Sequence, residues 1–230
     1  DNIIKHRCAI TCLNETRCQK SGISTTHGGL IRVASAADKV GSYGCEIIFH
    51  PQPVYASHRD TGSHIRMTRD MLSIVHAEPR LLIAKCDMLG VVQFYVICAH
   101  APYKGCKESH SLYWQDFAKI ISDVCRKGIP RVCCIDANCQ MYPYHTWESV
   151  CDCGILQGKP PTNFADFTAA FDQTGLTPFN CTEALLAEGM CGTFIPTRGN
   201  RHITIDYIAG CRGVNVKAGS ICLLPDIGVH

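Results

Sequence analysis

Val132-Cys133-Cys134-Ile135-Asp136-Ala137-Asn138 is an apolar run that ends abruptly on a carboxylate and an amide. Four consecutive small or branched apolar residues after the breaker Pro130 read as a buried strand. An ionised carboxylate at the end of such a strand is costly unless it is paired or holds a metal. Taken alone, Asp136-Ala137-Asn138 reads equally well as an Asx turn.

The same pattern recurs outward along the chain. Glu15 follows Ile10-Thr11-Cys12-Leu13, His100 follows the run from Phe94 to Ala99, and Asp206 interrupts Ile203 to Ile208. Each has an ordinary reading: a cap or surface group for Glu15, a satisfied core or loop histidine for His100, a structural ion pair for Asp206. Several polar strand ends in one chain favour a shared site. Three carboxylates, a histidine and an amide suit a hard divalent cation such as Mg²⁺, which prefers oxygen ligands and keeps several waters. Mg²⁺ chemistry beside a histidine points to phosphoryl transfer to water.

The surrounding sequence reads as one mixed α/β domain over residues 1–230. Residues 2–10 suit the end of a helix and Ala9 to Leu13 a short strand; the stretch from Ser21 to Gly29 and residues 56–70 suit loops. Strands are expected from Gly28 to Val33 and from Gly44 to Phe49. A hairpin is expected from Arg80–Cys86 and Val91–Ala99 around the turn at Asp87 to Gly90. Leu112, Phe117, Ile120, Ile121 and Val124 recur at helical spacing within Ser109 to Arg126. Asn163 to Phe171 suits a shorter helix stopping near Gly175. Gly192–Pro196 and Ile203–Ala209 suit a second hairpin, and Val214 to Leu224 a last strand.

Composition narrows the class. The chain has 230 residues, 46% of them hydrophobic, enough apolar surface to offset chain entropy. No stretch approaches the roughly 18 consecutive apolar residues of a membrane helix. The net charge of +2 is weak evidence for or against nucleic acid. Seventeen cysteines are many, but they sit in apolar runs and lack the paired spacing of zinc ligands. Without a signal-peptide layout, they fit a reducing, intracellular address, the nucleus included.

Five motifs in order carry a resemblance. Leu13-Asn14-Glu15-Thr16-Arg17 resembles the Q-E-T motif of the endonuclease/exonuclease/phosphatase superfamily, and Ala99-His100-Ala101-Pro102 its strand-end histidine, nearest the pancreatic deoxyribonuclease branch. Ile135-Asp136-Ala137-Asn138 resembles G-D-F-N with two replacements. Gly192-Thr193-Phe194 with Ile205-Asp206-Tyr207-Ile208 resembles the T-W and I-D-Y-I pair, and Pro79-Arg80-Leu81-Leu82 fits the strand before the histidine strand.

The resemblance implies an α+β four-layer sandwich, two packed mixed β-sheets flanked by helices. It implies that Glu15 binds Mg²⁺ (Mn²⁺ could substitute), that His100 contacts the scissile phosphate or assists proton transfer, and that Asp136 orients or deprotonates the attacking water. Asn138 then places phosphate and neighbouring side chains, and Asp206 orders the site. The implied activity is phosphodiester hydrolysis, foremost as a DNA endonuclease like those of LINE-type retroelements. RNA, an inositol phosphate or a lipid headgroup are alternative substrates, and a degenerate, non-catalytic retroelement domain is the alternative from another class. Two family elements have no match here: an upstream strand bearing a catalytic Asn, for which Asn2 stands too close to Glu15, and a closing S-D-H motif, since Asp226 and His230 are not adjacent. The expectation is a domain lacking its first and last elements, weakly active or inactive alone and active as the complete gene product.

Overall fold

Leu81–Met88 and Val92–His100 form the expected hairpin, in a register running from Leu81 opposite Ala99 to Met88 opposite Val92. Its turn is closed by Val91 N donating to Met88 O (2.9 Å) and Gly90 N to Asp87 Oδ1 (3.2 Å). A computed structural model gives the fold and describes residues 8–57, 61–103, 105–106, 109–140, 162–179, 205–211 and 214. The chain divides into two compact units, residues 1–100 with 124–132, and residues 101–123 with 133–230.

In the first unit, β1 (Ile10–Asn14), β2 (Gly22–Thr25), β3 (Ile31–Ala34) and β4 (Cys45–Phe49) make an antiparallel sheet in the order β1-β4-β3-β2. A two-stranded ribbon joins β5 (Val54–Ser57) and β6 (His64–Arg66). After a 3-10 turn at Arg69–Met71, β7 (Leu72–Glu78) pairs antiparallel with the hairpin strand β8 (Leu81–Met88), which pairs on its other side with β9 (Val92–His100). Alternate side chains of the two sheets meet in one core. Ile31, Val33, Cys45, Ile47 and Phe49 come from β3 and β4; Leu82, Ala84, Cys86, Met88, Val96 and Cys98 come from β8 and β9. This is sheet-on-sheet packing. Leu81, Ile83, Tyr95, Ile97 and Ala99, on the opposite face of the hairpin, are buried as well. Burial on both faces explains why these strands read as nearly continuous apolar runs.

In the second unit, α1 (His110–Val124) and α2 (Phe164–Thr174) enclose an aromatic core. Trp114 stacks on Phe167 at 4.7 Å between centroids, Phe167 meets Phe171 at 4.6 Å, and Tyr207 approaches Phe167 at 5.4 Å. The helix face differs from the expected one, because Leu112 is 60% exposed and Trp114 is buried at the centre. Gly175 caps α2 in the left-handed conformation (φ 64°), donating to Asp172 O. Strand β12 (Asp206–Cys211) lies between β10 (Arg131–Asp136) and β11 (Leu176–Pro178), and β11 pairs with it antiparallel.

Four expectations change. Ile10–Asn14 forms the short strand expected from Ala9 to Leu13, so the helix expected over residues 2–10 does not include Ile10, and the rest of that segment lies largely outside the described residues. The stretch from Ser21 to Gly29 contains β2, an edge strand that tolerates polar residues on its exposed side. Residues 56–70 contain most of the polar β5–β6 ribbon. Strand β7 has no sequence signal, since a bulge between Ile74 and His76 breaks its alternation. The first arm of the second hairpin lies outside the described residues, as does the expected last strand beyond Val214. The expected α+β sandwich class is the one the chain adopts, with packed sheets in the first unit and helices beside a sheet in the second. No helix of the described residues is long and apolar enough to cross a membrane.

Candidate active site

Glu15 follows the last residue of β1 and sits in the left-handed region at φ 57°; Arg17 (φ 53°) and Tyr43 (φ 66°) share that conformation. Non-glycine residues adopt it at a cost, and such residues gather at functional sites. Backbone bonds stitch the turn in place: Thr16 N donates to Gly44 O (3.1 Å), Arg17 N to Tyr43 O (2.8 Å) and Gly44 N to Pro79 O (2.8 Å). A Cβ on Gly44 (φ 95°) would stand 3.0 Å from Thr16 Oγ1 and 3.1 Å from Arg17 N, so this close approach requires glycine.

His100 ends β9. Its Nε2 lies 3.9 Å from Glu15 Oε1, and its side chain is 5% exposed against 60% for the carboxylate. Burial lowers the imidazole's pKa, the charge of Arg80 lowers it further, and Glu15 pulls the other way. The neutral ring can therefore accept or donate one proton at neutral pH. Arg80 and Tyr43 form its wall: the Arg80 guanidinium lies 3.7 Å from the Tyr43 ring centroid, and the Tyr43 and His100 rings meet edge-on at 5.9 Å.

A half-buried ionic cluster supports the same turn. The Arg32 guanidinium grips both carboxylate oxygens of Glu46 and reaches Cys18 Sγ, which also bonds Thr16 Oγ1 at 3.1 Å. Sequence reading missed these residues. A charge inside each of the apolar strands Ile31-Arg32-Val33 and Cys45-Glu46-Ile47 was the available signal.

In the second unit, Asp136 ends β10 and closes an Asx turn, its Oδ1 accepting from Asn138 N at 3.0 Å. Asn138 is left-handed at φ 46°, and its Nδ2 donates to Ala101 O at 2.8 Å. Ala101 N donates to Asp136 O (2.8 Å), and Ala137 N to Ile205 O (2.8 Å), the residue before Asp206. Tyr207 Oη donates to Cys139 O at 2.9 Å, and Asn163 Nδ2 to Asn138 O at 3.4 Å. The structure thus brings Glu15 to His100 within the first unit. Within the second it brings Asp136 to Asn138 and ties their turn to the strand that opens with Asp206.

Among the described residues no three His, Cys, Asp or Glu side chains gather as a ligand cluster. Magnesium does not need one, because it commonly binds one or two carboxylates and completes its shell with water and substrate phosphate. The solvent-facing carboxylate of Glu15, fixed at a strand end, fits that mode.

The fold defines a class: the chain has the endonuclease/exonuclease/phosphatase fold. No protein-family model matches the chain, and no curated protein matches it in sequence. Among solved structures, a Neisseria 3′ phosphatase bound to a product DNA hairpin superposes with a TM-score of 0.58 at 16% identity, covering 92% of this chain and 79% of that one. An AP endonuclease from Archaeoglobus fulgidus gives 0.56 at 15%, covering 90% and 78%. The APE2 catalytic domain of Xenopus laevis gives 0.55 at 13%, covering 92% and 76%. At these identities the likeness is one of fold.

Proposed function

We propose that this protein is a Mg²⁺-dependent phosphodiesterase that cuts DNA internally. The observation that carries this reading is the pairing of an exposed Glu15 carboxylate, held in a strained turn, with the buried imidazole of His100 at 3.9 Å. The fold's occurrence in a phosphatase bound to DNA supports nucleic acid as the substrate class.

Each residue has a role that its surroundings suit. Glu15 would hold Mg²⁺, which when bound would neutralise charge on the phosphate. His100, neutral and desolvated, donates a hydrogen bond to a non-bridging phosphate oxygen. Asp136, fixed by Asn138 N, takes the proton of a water whose oxygen bonds phosphorus, while the bond from phosphorus to the leaving sugar oxygen breaks and that oxygen takes up a proton from solvent. Asn138 holds the turn by its bond to Ala101 O, and Asp206 orders the neighbouring strand end.

The test is nicking of supercoiled plasmid by the protein with Mg²⁺, with release of phosphate from a 3′-phosphorylated oligonucleotide as a second substrate. Asp136→Ala is expected to cut the nicking rate by about 10³-fold. Nicking that survives this substitution refutes the mechanism. Phosphate release without nicking makes the protein a phosphatase.

A further inference from the structure

Glu15 and His100 come from strands 85 residues apart in sequence, yet a closed chain of contacts joins them. The Glu15 turn is bonded to Tyr43 and Gly44, Gly44 N to Pro79 O, and Arg80 exchanges two bonds with His100. In that exchange His100 N donates to Arg80 O (2.9 Å) and Arg80 Nη1 donates to His100 O (3.2 Å).

Arg80 is only 7% exposed. Burying a guanidinium is costly unless its contacts return the loss. Two of its contacts face the same corner: the ring of Tyr43 beneath its plane, and the carbonyl of His100 at its edge. Tyr43 occupies the left-handed region, and its ring meets both the Arg80 guanidinium and the imidazole. Three of the five left-handed non-glycine residues among those described, Glu15, Arg17 and Tyr43, lie in this corner. Strain concentrated around two named side chains marks a segment held for position.

Resting on the phosphodiesterase reading above, we infer that Arg80 and Tyr43 are positioning residues: their stacked pair fixes the imidazole of His100 against the Glu15 carboxylate. Neither is assigned contact with substrate. A planar guanidinium can lie flat on the ring and reach the carbonyl with the same group. A lysine ammonium offers a point charge and no plane.

The experiment compares Arg80→Lys, Arg80→Ala, Tyr43→Leu and Tyr43→Phe with Glu15→Ala and His100→Ala controls. Arg80→Lys and Tyr43→Leu are expected to lower kcat by about 10- to 100-fold with KM and melting temperature little changed, the pattern of lost positioning. Tyr43→Phe, which keeps the ring, is expected to stay near wild type. Free guanidinium at low concentration is expected to restore kcat to Arg80→Ala. A readout independent of activity is the ¹⁵N-edited signal of the His100 ring at fixed pH, expected single and sharp in wild type and Tyr43→Phe, and broadened or doubled in Arg80→Lys. Wild-type kcat and a sharp ring signal in folded Arg80→Lys overturn the inference. If instead Glu15→Ala and His100→Ala leave hydrolysis intact, the phosphodiesterase reading falls and the ring signal alone decides the positioning role.

Discussion

The carboxylate of Glu15 depends on contacts from remote parts of the chain, whereas that of Asp136 is bonded by the amide two residues on. The Glu15 turn leans on residues 43–44, which lean on residue 79; the Asp136 turn closes on itself and is then pinned by Ala101 and Ile205. Both turns contain a left-handed residue of the candidate site, Glu15 in one and Asn138 in the other. In the second turn an asparagine occupies the position, a residue that enters this region readily because its short side chain bonds locally. In the first, a glutamate and an arginine occupy it, and distant bonds to residues 43 and 44 must hold them there. The corner should therefore break under remote substitutions, and the turn under local ones.

The largest expected effect is at Gly44. An alanine there must adopt φ 95° and place its Cβ 3.1 Å from the backbone nitrogen of Arg17. Gly44→Ala is expected to destabilise by about 2–4 kcal/mol, combining strain with a backbone clash. Denaturant titration measures this, and the nicking rate should fall with it because the displaced segment carries Glu15. A Gly44→Ala protein of wild-type stability would mean that the corner is looser than its contacts indicate.

Asn138 offers the matching break in the local turn. Asn138→Ala loses the bond to Ala101 O and keeps an unfavourable φ of 46°, a loss of about 1–3 kcal/mol. Asn138→Gly loses the same bond but relieves the backbone, so it should fall between Asn138→Ala and wild type. If glycine proves as damaging as alanine, the side-chain bond accounts for the whole effect and conformation for none.

What the sequence revealed follows the same division. Asp136-Ala137-Asn138 is legible because Asx chemistry acts over two residues, and the structure shows the turn and the candidate site to be one object. Glu15 and His100 are legible as polar ends of apolar runs. Arg80, Tyr43 and the Arg32–Glu46–Cys18 cluster are not, because each takes meaning from a partner 14 or more residues away. One sequence does not state such pairings. Strands β2, β5 and β6 escaped because their side chains are polar or exposed, and β7 because its bulge shifts the period. Cys45 and Cys98 match the reading of cysteine as a small core residue, being fully buried between the sheets, where Cys98 Sγ meets Asn14 Oδ1 at 3.3 Å; Cys18 departs from it by joining the Arg32–Glu46 pair.

The smallest effect separates the two regions by alkaline titration. Cys139, next to Asn138 and 1% exposed, has its thiol pushed up to about 12 by burial, from an ordinary 9.0. Burial pushes Cys86, in the sandwich core of the first unit, up as well. Between the unfolded and folded values the native state holds a proton that the unfolded chain releases. Each thiol's contribution is therefore complete below pH 9.0 and is lost as pH rises towards its folded value. One such proton steepens the loss by up to about 1.4 kcal/mol per pH unit. Cys139→Ala and Cys86→Ala should each flatten the dependence of unfolding free energy on pH above 9.0, whatever each costs at neutral pH. Because Tyr207 holds the Cys139 carbonyl, ionising this thiol should loosen the Asp136 turn first, visible as faster amide exchange at Ala137 and Asn138 than at Thr16 and Arg17. Equal acceleration at both places would mean that the two turns open together in a single unfolding step.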